Sequence, residues 1–254
     1  MIRAASRPGR LLAAAAAVVA LVAAPLAAAA PASAATDTGG TRTVSGAVFD
    51  WGLNNETNGG AYFGGCNFLS AGIAGDTGSA RLWSQGDGFY KTRDGNTTIV
   101  RPTANGQGVA QPSWATKCQT PSGASVNGKT TNAADSYTQT RVQIANGTGV
   151  ADADADTAQI SWEGSFTVAY YGGMTYWSAS DPVLPVEGGV GTITATLSRY
   201  GPDMDDMPIS TQLTPREVPI ATLTGVDATA PGLVLTPDSL RRPPPSPLAA
   251  PTPP

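Results

Sequence analysis

Residues 159–179 read Q-I-S-W-E-G-S-F-T-V-A-Y-Y-G-G-M-T-Y-W-S-A. Ile160, Trp162, Phe166, Val168 and Tyr170 fall in one phase of a two-residue period, and Ser161, Glu163, Ser165, Thr167 and Ala169 in the other. Successive side chains of a strand point to opposite faces, so this pattern predicts one strand, dry on one side and wet on the other, over 159–171. Gly172-Gly173 then reads as a turn, and residues 174–179 as the returning strand of a hairpin.

The same logic extends outward. Residues 41–51 alternate around Val44 and Val48 and end on Trp51. In residues 192–198, Ile193, Ala195 and Leu197 oppose Thr192, Thr194, Thr196 and Ser198, and residues 217–226 read as a last strand. Residues 54–158 are rich in Gly, Asn, Thr and Ser with scattered apolar residues, which predicts long loops and short strands. Long amphipathic stretches are very few. The fold class expected is all-β: an immunoglobulin-like or related β-sandwich with long Gly/Asn-rich loops.

The ends of the chain differ in composition. Arg3, Arg7 and Arg10 precede an Ala-rich apolar run over 11–30, and Ala32-Ser33-Ala34 supplies small residues where a signal peptidase reads them. Residues 1–34 are therefore expected to be a signal peptide, 35–228 a β domain and 229–254 a Pro-rich extended tail, suited to threading a cell wall or to linking. The mature protein is expected to be secreted or on the cell surface, with cell-wall association in keeping with such a tail. Without residues 1–34 the chain has 12 basic and 19 acidic side chains, a formal charge of −7. That charge gives no electrostatic attraction to nucleic acid or anionic lipid. No later segment is long and apolar enough to span a bilayer.

An even number of cysteines in an exported chain points to a disulfide, here Cys66 with Cys118. Closing a loop of about 53 residues contributes about 4 kcal/mol in the chain-entropy description.

The chain contains no histidine. Ser-His-Asp and Cys-His catalysis and His-based zinc sites are therefore excluded, as is the usual proton carrier near neutral pH. Phosphate-binding and dinucleotide-binding Gly motifs are absent too. Glu56, Glu163 and Asp181 are available for glycoside chemistry, but nothing in the sequence pairs them. Asp152, Asp154 and Asp156 start like a calcium loop with Glu163 at position 12, yet Thr157 stands where the sharp turn needs Gly, so a solvated acidic loop is the better reading. A non-enzymatic protein is expected.

Residues 162–182, W-E-G-S-F-T-V-A-Y-Y-G-G-M-T-Y-W-S-A-S-D-P, resemble the signature of HtaA domains, the exported haem-binding modules of high-GC Gram-positive bacteria. Gly164-Ser165, Gly172-Gly173 and Ser180-Asp181-Pro182 match at the family's spacing. Residues 192–197 resemble its following strand, and Val44-Ser45-Gly46 through Asp50-Trp51-Gly52-Leu53 its opening strand. The resemblance implies a haem iron held by a tyrosine phenolate and supported by the histidine of a Gly-His-Gly-Gly turn. Here Tyr171 stands at the position of that histidine. The family's axial tyrosine falls at Gly60, with Tyr62 the nearest tyrosine, and the family's preceding Ser falls at Glu56.

The site expected from the resemblance is therefore Tyr62, as ligand of haem iron, with Tyr171 beside it. Tyr171 has a plainer reading as a half-exposed aromatic capping a hairpin, and Tyr62 one as an anchor in a mobile loop. Trp51, Trp83, Trp162 and Trp177 are candidate walls of a flat porphyrin slot. The function expected is haem binding for iron acquisition, in exchange with a haem-carrying protein. Two alternatives stand beside it: a surface interaction or adhesion module of the same fold without the ligand, and a carbohydrate-binding module stacking sugars on Tyr176 and Trp177.

Overall fold

The computed structural model describes residues 40–62, 65–129, 136–202, 210–226 and 234–235, all within the unit Ala34–Pro254. The expected signal peptide lies outside these residues. So does the expected tail, except that the backbone of Val234 and Leu235 forms a strand.

The architecture is all-β, as the alternation predicts. In chain order the strands are β1 (Thr41–Trp51), β2 (Gly60–Ala61), β3 (Gly65–Cys66), β4 (Phe68–Ala71), β5 (Arg93–Asp94), β6 (Thr97–Pro102) and β7 (Val109–Ala110), followed by β8 (Arg141–Asp152), β9 (Thr157–Ser161), β10 (Ser165–Tyr170), β11 (Thr175–Glu187) and β12 (Val190–Ser198). A small hairpin of β13 (Tyr200–Pro202) and β14 (Ser210–Gln212) precedes β15 (Arg216–Thr224), and β16 (Val234–Leu235) lies parallel to β1. Among the described residues the helical segments are the 3₁₀ turns Gln85–Asp87 and Tyr171–Gly173.

The main sheet runs β15-β12-β11-β9-β8-β1-β16. Two long strands carry the curvature. β8 pairs with β6 through 141–144 and with β9 through 148–152. β11 pairs with β10 through 175–180 and with β9 through 183–187. Each change of partner falls at a break in register: Asp181 takes φ 52° in β11, and Asn146 takes φ 63° in β8 close to Gly46, at φ 73°, in β1. Bulges of this kind bend a strand and increase its twist, so the sheet folds over and its two halves enclose the core.

That core contains Phe49, Leu69, Ile99, Ile144, Ile160, Trp162, Phe166, Leu184 and Ile193, among others. The strand expected over 159–171 is interrupted at its centre. Trp162 leaves the ladder, its indole Nε1 donates to the Ala47 carbonyl at 3.0 Å, and its backbone N donates to Pro182. Its ring lies on Gly147, where a Cβ would come within 2.2 Å of Nε1. A strand that continued through 162–164 could not serve both halves of the folded sheet.

A second, aromatic core covers the outer face of β10 and β11. It contains Phe68, Trp83, Val126, Ala169 and Tyr176, with Phe89, Tyr90 and Trp114 packed against it. Thr167 and Ala169, expected on a wet face, are thus fully buried. The covering layer comes from residues 54–140, which are the expected loops and short strands, tied by the Cys66–Cys118 disulfide. The expectation fails after 140, where β8 is a strand of 12 residues with a bulge at Asn146. Its second half, Gly147, Gly149 and Ala151 alternating with Thr148 and Val150, has too little apolar contrast to show a period.

Candidate functional site

The two candidate tyrosines are positioned by one short piece of chain. Tyr62 lies in the β2–β3 connection and is 85 % exposed. Five residues on, Asn67 makes three anchoring bonds: its backbone N donates to Gly59 O, its Nδ2 donates to Glu56 O at 2.8 Å, and its Oδ1 accepts the Tyr171 backbone N–H at 2.8 Å. Tyr62 and Asn67 are five residues apart, at most about 18 Å of chain, so the Tyr62 loop and the Tyr171 turn are tied to the same segment. The disulfide at Cys66 lies between them in sequence.

Tyr171 does not continue strand β10. It adopts φ 51° at the head of the 3₁₀ turn, a left-handed conformation that costs a residue with a Cβ about 1–2 kcal/mol. The next two positions, Gly172 and Gly173, also have positive φ and are glycines. Gly173 has no room for a side chain, since a Cβ there would meet the Trp83 ring at 2.3 Å. An aromatic with a Cβ thus occupies a left-handed position of the turn where glycine would be unstrained. Tyr171 is 44 % exposed.

Tyr170 lies on the inner side, partly buried against the main core. Burial pushes its phenol up from the ordinary value, Glu56 and Tyr171 add in the same direction, and the hydrogen bond with Trp177 partly opposes them.

Trp177 borders an open groove of about 370 Å³ at the end of the sandwich, together with Leu197, Leu213, Val218, Arg199 and Arg216. The other three tryptophans named as candidate walls are elsewhere. Trp51 and Trp162 are buried in the main core and Trp83 in the aromatic one. They pack as core residues and do not form a shared slot. Tyr176 is buried too, and its hydroxyl donates to Gly75 O at 2.8 Å, so its ring offers no face to a sugar.

The carboxylates have local duties. Asp152 caps its own hairpin turn by accepting from the backbone N–H of Asp154 and Ala155, each at 3.0 Å, and from Thr41 Oγ1. Asp181 accepts from Gly164 N at 3.2 Å across the change of partner in β11. Among the described residues no three His, Cys, Asp or Glu side chains converge as a metal site, and no helix is long and apolar enough to cross a membrane.

No family model, curated protein or solved structure matches the chain. Function is therefore argued from the geometry. The sequence did not single out Asn67, which ties the Tyr171 turn to the Glu56–Gly59 loop. An Asn between Cys66 and Phe68 carries no distinguishing pattern, and its role depends on contacts 11 and 104 residues away. The two arginines of the groove also went unnoticed, because register rather than spacing brings them together.

Proposed function

We propose that the mature protein is an exported, non-catalytic binding module that captures ferric haem through a surface tyrosine, as the HtaA resemblance implies. The observation that carries this reading is the strained, exposed Tyr171 turn held by Asn67, in the same segment of chain that carries the exposed Tyr62. Backbone strain at an exposed aromatic, in a turn where glycine would be cheaper, is characteristic of a position kept for a ligand. The donor chemistry suits ferric iron. A phenolate is a hard anionic oxygen and a known axial haem ligand, and both phenols are open to solvent. A free phenol ionises near pKa 10, so iron itself must drive the deprotonation at neutral pH. No imidazole exists in the chain to take that place.

The test is a haemin titration of the mature domain with Tyr62→Phe and Tyr171→Phe beside it. The expected result is a saturable Soret shift with a tyrosinate-to-iron charge-transfer band, abolished by the substitution of whichever tyrosine is axial and weakened by the other. A Soret shift unchanged in both variants rejects tyrosine as the ligand, and a flat titration of the unsubstituted protein rejects haem capture. It would leave the surface interaction module as the reading of this fold.

A further inference from the structure

The inner face of the β11–β12–β15 half is left uncovered at one end. Along β12, Ile193 and Ala195 are buried, but Leu197 is only partly covered. Along β15, Ile220, Ala221 and Leu223 are buried, but Val218 is partly covered. Along β11, Ala179 is buried, but Trp177 is half open, with its ring edge-on to Phe166 at 6.2 Å. These three uncovered ends form the apolar floor of the 370 Å³ groove, and Leu213, 43 % exposed, forms its wall.

Two cations stand over this floor. In the β12–β15 register Arg216 is directly opposite Leu197. Directly opposed residues of an antiparallel pair project from the same face, so Arg216 belongs to the inner, apolar side of its strand. Arg199 lines the groove beside it. Among the described residues no acidic side chain lines the groove, and neither arginine makes an ion pair or a side-chain hydrogen bond. Among the described residues, then, the groove sets two unpaired arginines over an apolar floor, on a chain whose net charge is negative.

We infer that this groove binds a small amphipathic carboxylate, with its apolar body on Trp177, Leu197 and Val218 and its head group held by Arg199 and Arg216. Each part of the site selects for one part of that ligand. The floor gains about 25 cal/mol for each Å² of apolar surface it covers, which an inorganic anion does not provide. Guanidinium groups favour carboxylate through paired charge-assisted hydrogen bonds, which a neutral lipid or a sugar does not provide. The volume falls at the low end of the ~300–1,000 Å³ typical of small-molecule sites, so the ligand is a medium-length chain or a compact ring system. The inference does not rest on the haem reading, because neither Tyr62 nor Tyr171 lines the groove.

The test is calorimetric titration of the mature protein with decanoate and with decanol, both below their micellar or solubility limits, against the parent and the Arg199→Gln, Arg216→Gln and double variants. Both arginines are exposed and, among the described residues, unpaired, so the variants should keep the parent's thermal midpoint. Decanoate should bind one to one, and decanol about tenfold more weakly or worse. Each single substitution should weaken decanoate by about tenfold, the size of one lost charge-assisted hydrogen bond. A double Arg→Lys variant should restore part of the binding. The inference is overturned by equal binding of decanoate and decanol, by no binding of either, or by unchanged decanoate affinity in the double Gln variant. It is also overturned by self-association of the parent that Leu213→Ser abolishes, since a second copy would then be what covers the groove. Haemin spectra of the same variants keep the two readings apart: Tyr62→Phe and Tyr171→Phe should leave decanoate binding intact.

Discussion

Asn58 Oδ1 accepts both the backbone N–H and the hydroxyl of Thr140, at 2.6 and 2.7 Å, 82 residues apart in sequence. The same oxygen accepts from Thr138 Oγ1 at 2.8 Å, and the Asn58 amide nitrogen donates to the carbonyls of Gly52 and Asn54. All three side chains are buried. One amide thus fastens the loop after β1 to the segment leading into β8 and satisfies backbone groups on both sides. Asn58→Ala would strand several buried donors and acceptors, each costing about 1–3 kcal/mol unpaired. The expected loss is about 3 kcal/mol or more by urea unfolding, against about 1 kcal/mol for Thr140→Val, in which the Asn58 contact to the backbone survives. Equal losses for the two variants would show that the amide is not the hub.

The contact of Trp162 with Gly147 predicts an asymmetric pair of substitutions. Gly147→Ala places a Cβ inside the indole, 2.2 Å from Nε1, with a backbone that cannot give way without disturbing its pairing to Ala47. Overpacking of a dense core costs about 1–3 kcal/mol. Trp162→Phe removes the clash partner as well as the bond to Ala47 O, so the double variant should be less destabilised than the sum of the singles. A double-mutant cycle measures this coupling. Simple additivity would mean that the ring does not rest on Gly147.

The part of the fold legible in the sequence was the part governed by local alternation. Residues 192–198 alternate as expected, whereas 41–51 form the expected strand but shift phase at Gly46, so that Ala47, Phe49 and Trp51 bury with Val44 and Val48 does not. Residues 165–170 have the right period but the wrong consequence: Thr167 and Ala169 appear polar or small enough for water, yet a second aromatic layer covers them. That layer comes from residues 66–126, where single aromatics between glycines form no pattern until the chain is folded. The break at Trp162 was hidden because its apolar side chain keeps the phase of its neighbours while its backbone leaves the sheet. At the candidate site, a turn at 172–173 was legible from two glycines. The left-handed Tyr171 was not, because its conformation is fixed by Asn67 from 104 positions away. The groove was invisible for a similar reason: Leu197 and Arg216 meet only through a register that no spacing reports.

The disulfide joins the β2–β3 hairpin to the loop bearing Lys117, whose ammonium lies 3.5 Å over the Trp114 ring and 5.3 Å over that of Phe68. Burial lowers the Lys117 pKa, so the cation's stability there comes from the rings and from the Trp114 carbonyl. Replacing both Cys66 and Cys118 by Ser should lower stability by about 4 kcal/mol on loop entropy. The damage should be greatest in the aromatic layer, because the main core holds no residue from the closed loop beyond Leu69, Ala71 and Ile99. Near-ultraviolet dichroism should fall while far-ultraviolet dichroism largely persists. Loss of both signals in one transition would show that the two cores fold as a unit.

Tyr171→Gly tests the strain argument directly. The substitution keeps the backbone N–H that Asn67 accepts and removes the Cβ penalty at φ 51°. Part of that gain is offset by the greater freedom of glycine in the unfolded chain. The thermal midpoint should therefore hold or rise slightly, although an aromatic side chain has been deleted. Tyr171→Ala, which keeps the strain and loses the ring, should be less stable than the Gly variant. If alanine proves the more stable of the two, the turn is not strained and Tyr171 is an ordinary hairpin cap.

Acid should loosen the aromatic layer at a definite place. Asp87 Oδ2 accepts from Arg81 Nη1 at 2.8 Å and from Ser84 N at 2.6 Å, and Oδ1 accepts from Arg81 Nη2 at 3.0 Å. The Arg81 hydrogen bond, followed by the Ser84 backbone, lowers the Asp87 carboxyl from 3.8 to about 2. A carboxylate with a pKa lower in the folded state than in the unfolded one binds protons more readily when unfolded. Its contribution is therefore complete above about pH 4 and is lost as pH falls towards 2. These bonds close the turn after Trp83, so the loss should appear in the environment of that indole. The Asp87 carboxyl followed by NMR should titrate near 2, and Asp87→Asn should remove this share of the acid sensitivity while keeping the acceptor for Ser84. A midpoint near 4 would show that Arg81 and Asp87 do not hold each other in solution, and the turn over Trp83 would then need another clasp.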